Sequence, residues 1–272
     1  MRSDNLLISD IQKGLTTSLL GRQILLYEEI ESTNTTAMNL ASWGAPEGTL
    51  ILAEAQTKGR GRMGRTWYSP KGLNLYLSLV LRPSCTARQA PWLGLAAAVA
   101  VTKTIEKQVG LTARVKWPND IEISSRKVAG ILSELAVAGE SVESLILGIG
   151  INLNMEAKDL PAELSSIATS LKIEGGRTVD RIRFLQELLA TLEAWYGIFR
   201  KSSLEEIRKS YLARFDLLEQ PVWIQQAGGR IQGRVMGLSP EGALRLRRSD
   251  GTEIAIQSGE VIQMRAADAA CD

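Results

Sequence analysis

Between two apolar runs the chain reads K-G-R-G-R-M-G-R-T-W over residues 58–67. Gly59, Gly61 and Gly64 are interleaved with Lys58, Arg60, Arg62 and Arg65. Glycine lets backbone come close to a ligand and adopt positive φ. Arginine is a permanently charged planar fork that matches carboxylate and phosphate. A loop carrying both, strung between strands, can close over an anionic small molecule. On its own the stretch also fits an RG-rich loop touching RNA electrostatically, or a solvated basic turn. It is not a Walker A loop, because no Gly-Lys-Ser/Thr follows, and it is not a dinucleotide fingerprint, because a strand rather than a helix comes next.

A second group is Lys116-Trp117-Pro118-Asn119-Asp120, followed by Lys127-Val128-Ala129-Gly130. Asn119 can read a base edge or a ribose, and Asp120 can hold Mg²⁺ or a lysine amine. Ala129 and Gly130 are small enough for something to pack against them. Taken alone, Lys127 is a hairpin cation and Lys116 a strand-end charge. Ser32-Thr33-Asn34 can cap a helix through its free N–H groups or hydrogen-bond a polar ligand head. Gly148 and Gly150 sit inside an apolar run ending at Asn152, where strand glycines mark close approach of backbone or ligand.

Composition narrows the chemistry. The 272 residues contain no histidine, which excludes Ser-His-Asp and Cys-His catalysis and His-ligated zinc. Cys85 and Cys271 form no CxxC pair, so a reduced, cytoplasmic protein is expected. Lys+Arg 32 against Asp+Glu 30 gives a net charge of +2, so the positive charge is local to the loop. No signal peptide or membrane span is read from the sequence.

These residues need a scaffold. Alternation and capping predict strands at Gln23–Ile30, Thr49–Ala55, Leu73–Leu81, Ala113–Lys116, Asp120–Ser124, Lys127–Val137 and Ser144–Asn152. Helices are predicted at Leu6–Leu19, Thr35–Ser42, Pro91–Val109, Ala162–Leu171, Asp180–Phe199 and Ser203–Phe215. Beyond Pro221 come short strands with turn signals: Val222–Gln225, Arg230–Leu238, Ala243–Arg247, Glu253–Ile256 and Val261–Arg265. This is an α+β chain, with residues 1–217 as a mixed sheet with packed helices and 218–272 as a small SH3-like β-barrel. Residues 266–272 are expected to fray.

Together, S-T-N, A-E-A-Q-T-K-G-R-G-R-M-G-R-T-W-Y-S-P, K-W-P-N-D, K-V-A-G-I-L and G-I-G-I-N-L-N closely resemble the biotin protein ligase family, from about Leu20 to Arg265. The resemblance implies a class II synthetase-like catalytic domain. Such an enzyme converts biotin and ATP, with Mg²⁺, to biotinyl-5′-adenylate. It then passes biotin to one lysine of a biotin carboxyl carrier domain. By resemblance Ser32, Thr33, Asn34 and Gln56 contact the ureido ring, and Gly59, Arg60, Gly61 and Arg62 the tail and adenylate. Trp67 shelters the ligand and Gly130 lines the biotin site. Arg65, Lys116, Trp117, Asn119 and Asn152 match nucleotide-binding positions. Lys127 matches the lysine that contacts biotin's carboxyl and the α-phosphate. Arg62 and Lys127 are expected to offset the repulsion of two anions, and Asp120 to position or deprotonate the acceptor lysine. No protein metal ligand is assigned.

Met63 departs from the pattern, since many members carry another basic residue there. About twenty residues precede the first shared strand, too few for a winged helix, so no specific DNA binding is expected. A monomer and a ligand-promoted homodimer both fit. A lipoate–protein ligase is the alternative enzyme, since it shares fold and chemistry. An RNA-binding module is the alternative outside enzymes, and the near-neutral charge and lack of interleaved aromatics speak against it.

Overall fold

The computed structural model describes residues 5–226 and 228–263. Its larger part is a seven-stranded mixed sheet. In chain order its strands are β1 (Ile24–Ile30), β2 (Leu50–Gln56), β3 (Leu75–Leu81), β4 (Arg114–Lys116), β5 (Asp120–Ile123), β6 (Arg126–Ala138) and β7 (Ser141–Ile151). The spatial order is β1-β2-β3-β7-β6-β5-β4. β1 and β2 run parallel, joined through helix α2 (Thr33–Ser42), and the other neighbours are antiparallel.

Helices cover both faces. The short α1 (Ile8–Lys13) precedes β1, and α3 (Pro91–Val109), α5 (Arg181–Arg200) and α6 (Leu204–Leu212) follow later, with α4 (Leu171–Gly175) between β7 and α5. α3 is apolar nearly all round and buries thirteen of its residues, as the run from Leu93 to Val101 predicts. Gly110 ends it in the left-handed conformation. Asp180 caps α5 by accepting from the Arg183 N–H. On the opposite face α2 sets Ala37 and Ala41 against Ile51, Val80 and Ile146. β3 is therefore buried at all seven positions, not only at its leucines.

The second part is a five-stranded antiparallel sheet of the SH3-like kind. It comprises β8 (Pro221–Gln226), β9 (Gly229–Leu238), β10 (Leu244–Arg247), β11 (Glu253–Ile256) and β12 (Glu260–Gln263). Its order is β11-β10-β9-β8-β12. The expected end of the last strand at Arg265 and the frayed terminus lie outside the described residues.

Two expected helices are corrected. The first stops at Gly14 rather than Leu19: Gln186 of α5 donates to the last-turn carbonyls of Asp10 and Ile11 at 2.9 and 3.0 Å, and farther on Glu193 takes the N–H groups of Ser18, Leu19 and Leu20 at 2.7–2.8 Å. The segment predicted helical over Ala162–Leu171 holds only one 3₁₀ turn at Ala162–Leu164 before α4. There the chain is drawn alongside β6: Lys127 N–H donates to the Ile167 carbonyl at 2.8 Å, and Thr169 N–H to the Lys127 carbonyl at 2.9 Å.

Candidate active site

The Gly/Arg stretch leaves β2 and folds into a small hairpin. Trp67 N–H donates to the Gly59 carbonyl at 2.8 Å, Arg60 pairs with Thr66, and Gly61 N–H donates to the Arg65 carbonyl at 2.7 Å. The tip is a 3₁₀ turn, Arg62–Gly64, with Met63 at φ 56° and Gly64 at φ 75°. This hairpin roofs a cleft of about 340 Å³ over β6 and β7.

One end of the cleft is polar and closed. Ser32 caps α2, and Ser32, Thr33 and Asn34 are nearly fully buried. Thr33 N–H donates to Gln56 Oε1 at 2.9 Å, and Ser78 Oγ donates to Asn34 Oδ1 at 2.6 Å. The floor is glycine. Gly148 faces Ser78 on β3, and Gly150 pairs with Gly130 on β6. A Cβ on Gly148 would lie 2.0 Å from Asn34 Oδ1, and one on Gly150 would lie 2.5 Å from the Trp67 ring. These strand glycines therefore make room for the two side chains above them, as their occurrence inside a strand suggests.

The other end is charged. Lys127 Nζ lies 2.7 Å from Asp120 Oδ1 and 5.2 Å from the centre of the Trp67 ring. Arg62 donates to Asn119 Oδ1 at 3.2 Å, and Asn119 donates to the Ile131 carbonyl at 2.8 Å. Burial lowers the Arg62 proton affinity, with Asp120 pulling the other way. Lys116 pairs with Glu122 at 2.9 Å. Arg65 reaches across to Glu260 of β12, which raises the arginine and holds the Glu260 carboxyl below its ordinary range. Trp117 is buried beside the cleft, and Asn152 spends its amide on the Thr169 carbonyl at 2.9 Å.

Of the residues expected from sequence, all but Gly59 line this cleft. Gly59 instead lets the hairpin close, since a Cβ there would lie 2.4 Å from the Trp67 carbonyl. Three of the loop cations meet carboxylates. Lys58 pairs with Glu31 at 2.7 Å, Arg60 with Glu134 at 2.8 Å, and Arg65 with Glu260. Sequence reasoning passed over Ser78, Glu134, Glu260 and the apolar wall formed by Met155, Leu160, Leu164 and Ile167. The S-E-L that follows K-V-A-G-I-L was the available signal for Glu134, as a charge directly after an apolar strand segment. No comparable signal existed for the wall.

The arrangement can hold a ligand with a neutral polar head, an apolar body and an anionic end. Head contacts fit the Thr33–Asn34–Gln56 end, and anions fit Arg62 and Lys127. Trp67 Nε1 is buried and finds no acceptor among the described residues, so it offers a donor to a bound group. Among the described residues no three or more Asp, Glu, Cys or His side chains gather into a metal cage, and no helix is long and apolar enough to cross a membrane.

Residues 26–152 match the family described as biotin/lipoate A/B protein ligase, and residues 217–263 match the biotin protein ligase C-terminal domain. The biotin–[acetyl-CoA-carboxylase] ligase of Paracoccus denitrificans is 35% identical over 85% of this chain and 96% of its own length. The bifunctional ligase/repressor BirA of Bacillus subtilis (strain 168) is 38% identical over 89% of this chain and 75% of its own. The biotin protein ligase from Aquifex aeolicus in complex with biotin and ATP superposes with a TM-score of 0.76. It is 31% identical and covers 90% of this chain and 100% of that one.

Proposed function

The chain belongs to the biotin protein ligases, and from that premise we propose how its cleft divides the work of activating biotin with ATP and handing it to a carrier lysine. The observation that carries the reading is the cleft's two-ended chemistry. A buried neutral hydrogen-bonding end, Thr33, Asn34 and Gln56, faces a cationic end, Arg62 and Lys127, across a glycine floor. That matches a ureido ring joined by an apolar chain to a carboxylate.

In the first step a biotin carboxylate oxygen attacks the α-phosphorus of ATP. The bond to the bridging oxygen breaks and pyrophosphate leaves. Arg62 and Lys127 reduce the repulsion between the two anions and hold the in-line geometry. In the second step a neutral lysine amine attacks the anhydride carbonyl and AMP departs. Asp120, ion-paired to Lys127 at 2.7 Å, is the group that orients the amine and accepts its proton. Arg65, Lys116, Trp117, Asn119 and Asn152 form the nucleotide side, and Ser32, Arg60, Gly61, Trp67 and Gly130 the biotin side.

Mg²⁺ fits only as the counter-ion of the nucleotide. Magnesium is usually bound through one or two carboxylates plus phosphates, and here Asp120 already faces Lys127. Its chemistry, when bound, is charge neutralisation on the phosphates. The acceptor is a biotin carboxyl carrier domain. We take residues 1–217 as the activating part and 218–272 as the part that completes the nucleotide side through Glu260.

Pyrophosphate release from ATP, measured with biotin and with lipoate in parallel, tests this. Release with biotin, followed by labelling of one lysine on a carrier domain, is expected. Release with lipoate alone would overturn it.

A further inference from the structure

A line of hydrogen bonds crosses the polar end of the cleft, and both of its ends are on the Gly/Arg hairpin. From one side the Trp67 carbonyl accepts from Ser69 Oγ at 2.9 Å, and Ser69 Oγ accepts from Gln56 Nε2 at 3.0 Å. Gln56 Oε1 accepts from Thr33, and Thr33 and Asn34 both meet the Ser78 hydroxyl. From Asn34 the line leaves the cleft: Asn34 Nδ2 donates to Glu134 Oε2 at 2.9 Å. Glu134 then takes both arms of the Arg60 guanidinium, at 3.1 Å to Oε2 and 2.8 Å to Oε1.

Glu134 is the joint of this circuit and is not itself a wall of the cleft. Its side chain is 19% exposed. A carboxylate so far out of water is tolerated when cations and N–H donors meet it. The Arg60 pair is bidentate, which fixes the geometry as well as the charge. Asn34, 4% exposed, is held at Oδ1 by the Ser78 hydroxyl, and its Nδ2 has two acceptors among the described residues, the Leu132 carbonyl at 3.3 Å and Glu134 at 2.9 Å, so Glu134 takes the shorter bond from the amide nitrogen. A ligand that fixes Asn34 thereby fixes Glu134, and through it Arg60.

We propose that Glu134 is a positioning residue that couples the ureido end of the biotin site to closure of the Gly/Arg hairpin, so that retention of the adenylate depends on an acid that contacts neither biotin nor nucleotide. This rests on the biotin ligase reading of the cleft. The coupling is reciprocal, as any linkage must be. Opening the hairpin weakens the grip of Asn34, and emptying the ureido end frees the hairpin.

The test uses the full chain and its E134Q, E134A, R60A and E134A/R60A variants. Each is given biotin, ATP and serum albumin as a bystander, and biotin on the bystander's lysines is measured beside total pyrophosphate release and the melting temperature. In E134Q and E134A, bystander labelling per pyrophosphate released is expected to rise about tenfold, the scale of losing one charge-assisted contact. R60A should behave alike, and the double variant should leak no more than either single one, because the two changes break one link. Glutamine keeps the shape of Glu134 and cannot hold the Arg60 fork, so leakage from E134Q without loss of melting temperature separates positioning from fold maintenance. Retention equal to the parent's in E134Q or R60A, or leakage in the double variant equal to the product of the single effects, would overturn the proposal. Should E134A fail to fold, E134Q and R60A still decide it. A parent that releases no pyrophosphate with biotin would instead overturn the functional reading beneath it.

Discussion

At the scale of single residues, the cleft turns on Lys127. Its ammonium faces Asp120 on one side and the Trp67 ring on the other, and its backbone is held by Ile167 and Thr169. Lys127→Ala keeps those backbone bonds and removes the charge that we propose faces the reacting anions. Single-turnover pyrophosphate release is expected to fall on the order of a hundredfold or more, with the fold intact by circular dichroism. A loss of only a few-fold would show that Lys127 is not at the reacting centre. Gly150 gives a complementary test of shape. A Cβ there lies 2.5 Å from Trp67, and strand β7 is paired on both sides, so the ring must give way. Gly150→Ala is expected to cost about 1–3 kcal/mol in stability, the range for overpacking, and to lose most of the protection that biotin plus ATP give against thermal unfolding. Protection equal to the parent's would mean that Trp67 does not cover the ligand. Both residues were legible in sequence, Lys127 through the motif it opens and Gly150 through its unusual occurrence in a strand. Gly59 was legible as a motif residue but its role was not, because a glycine needed for hairpin closure and one needed for ligand approach look alike in sequence.

At the scale of elements, the Gly/Arg hairpin is ordered by its own cross-strand bonds and tied down by ion pairs to Glu31, Glu134 and Glu260. Those ties are uneven. The Lys58–Glu31 pair is 71% and 65% exposed, and such surface pairs contribute little. The hairpin tip also carries two residues at positive φ, Met63 and Gly64. Amide hydrogen exchange over residues 58–67 is therefore expected to be fast in the free protein and slowed by biotin plus ATP, which add anions for Arg62 to hold. Equal exchange in both states would mean that the hairpin is already closed without ligand. The strands around this hairpin were readable because β2 and β3 are long, apolar and cleanly bounded. The wall at Met155–Ala168 was not, because its conformation is set by pairing with Lys127, about forty residues earlier in the chain, and local pattern carries no trace of that. The same blindness explains α1, whose last turn is bonded by Gln186 and whose following segment is bonded by Glu193, both on α5.

At the scale of the whole molecule, the catalytic sheet and the C-terminal barrel meet at the cleft. The turn signals beyond Pro221 made the barrel itself visible in sequence, yet its contribution to the site was hidden, since Glu260 and Arg65 are 195 positions apart. Their contact gives a prediction with a definite sign in pH. The hydrogen bond and charge of Arg65 hold the Glu260 carboxyl below its ordinary range, while partial burial opposes them. A carboxylate whose folded pKa is depressed adds stability above its unfolded pKa of about 4.3 and loses that share as pH falls through the lower folded value. The link from barrel to hairpin is therefore full at neutral pH and absent in acid. Glu260→Gln removes the charge at every pH. The melting temperature of the parent should exceed that of the variant near neutrality by at most about 3 °C, the scale of one half-exposed pair in a chain of this size. The gap should close as pH is lowered below about 4. Near neutral pH the variant should also need a few-fold more ATP to reach half-maximal pyrophosphate release, because Arg65 is no longer held toward the nucleotide side. A melting difference that stays constant across that pH range would mean that Glu260 acts by packing and not by charge. An unchanged ATP requirement would mean that the barrel stabilises the hairpin without helping to hold the nucleotide.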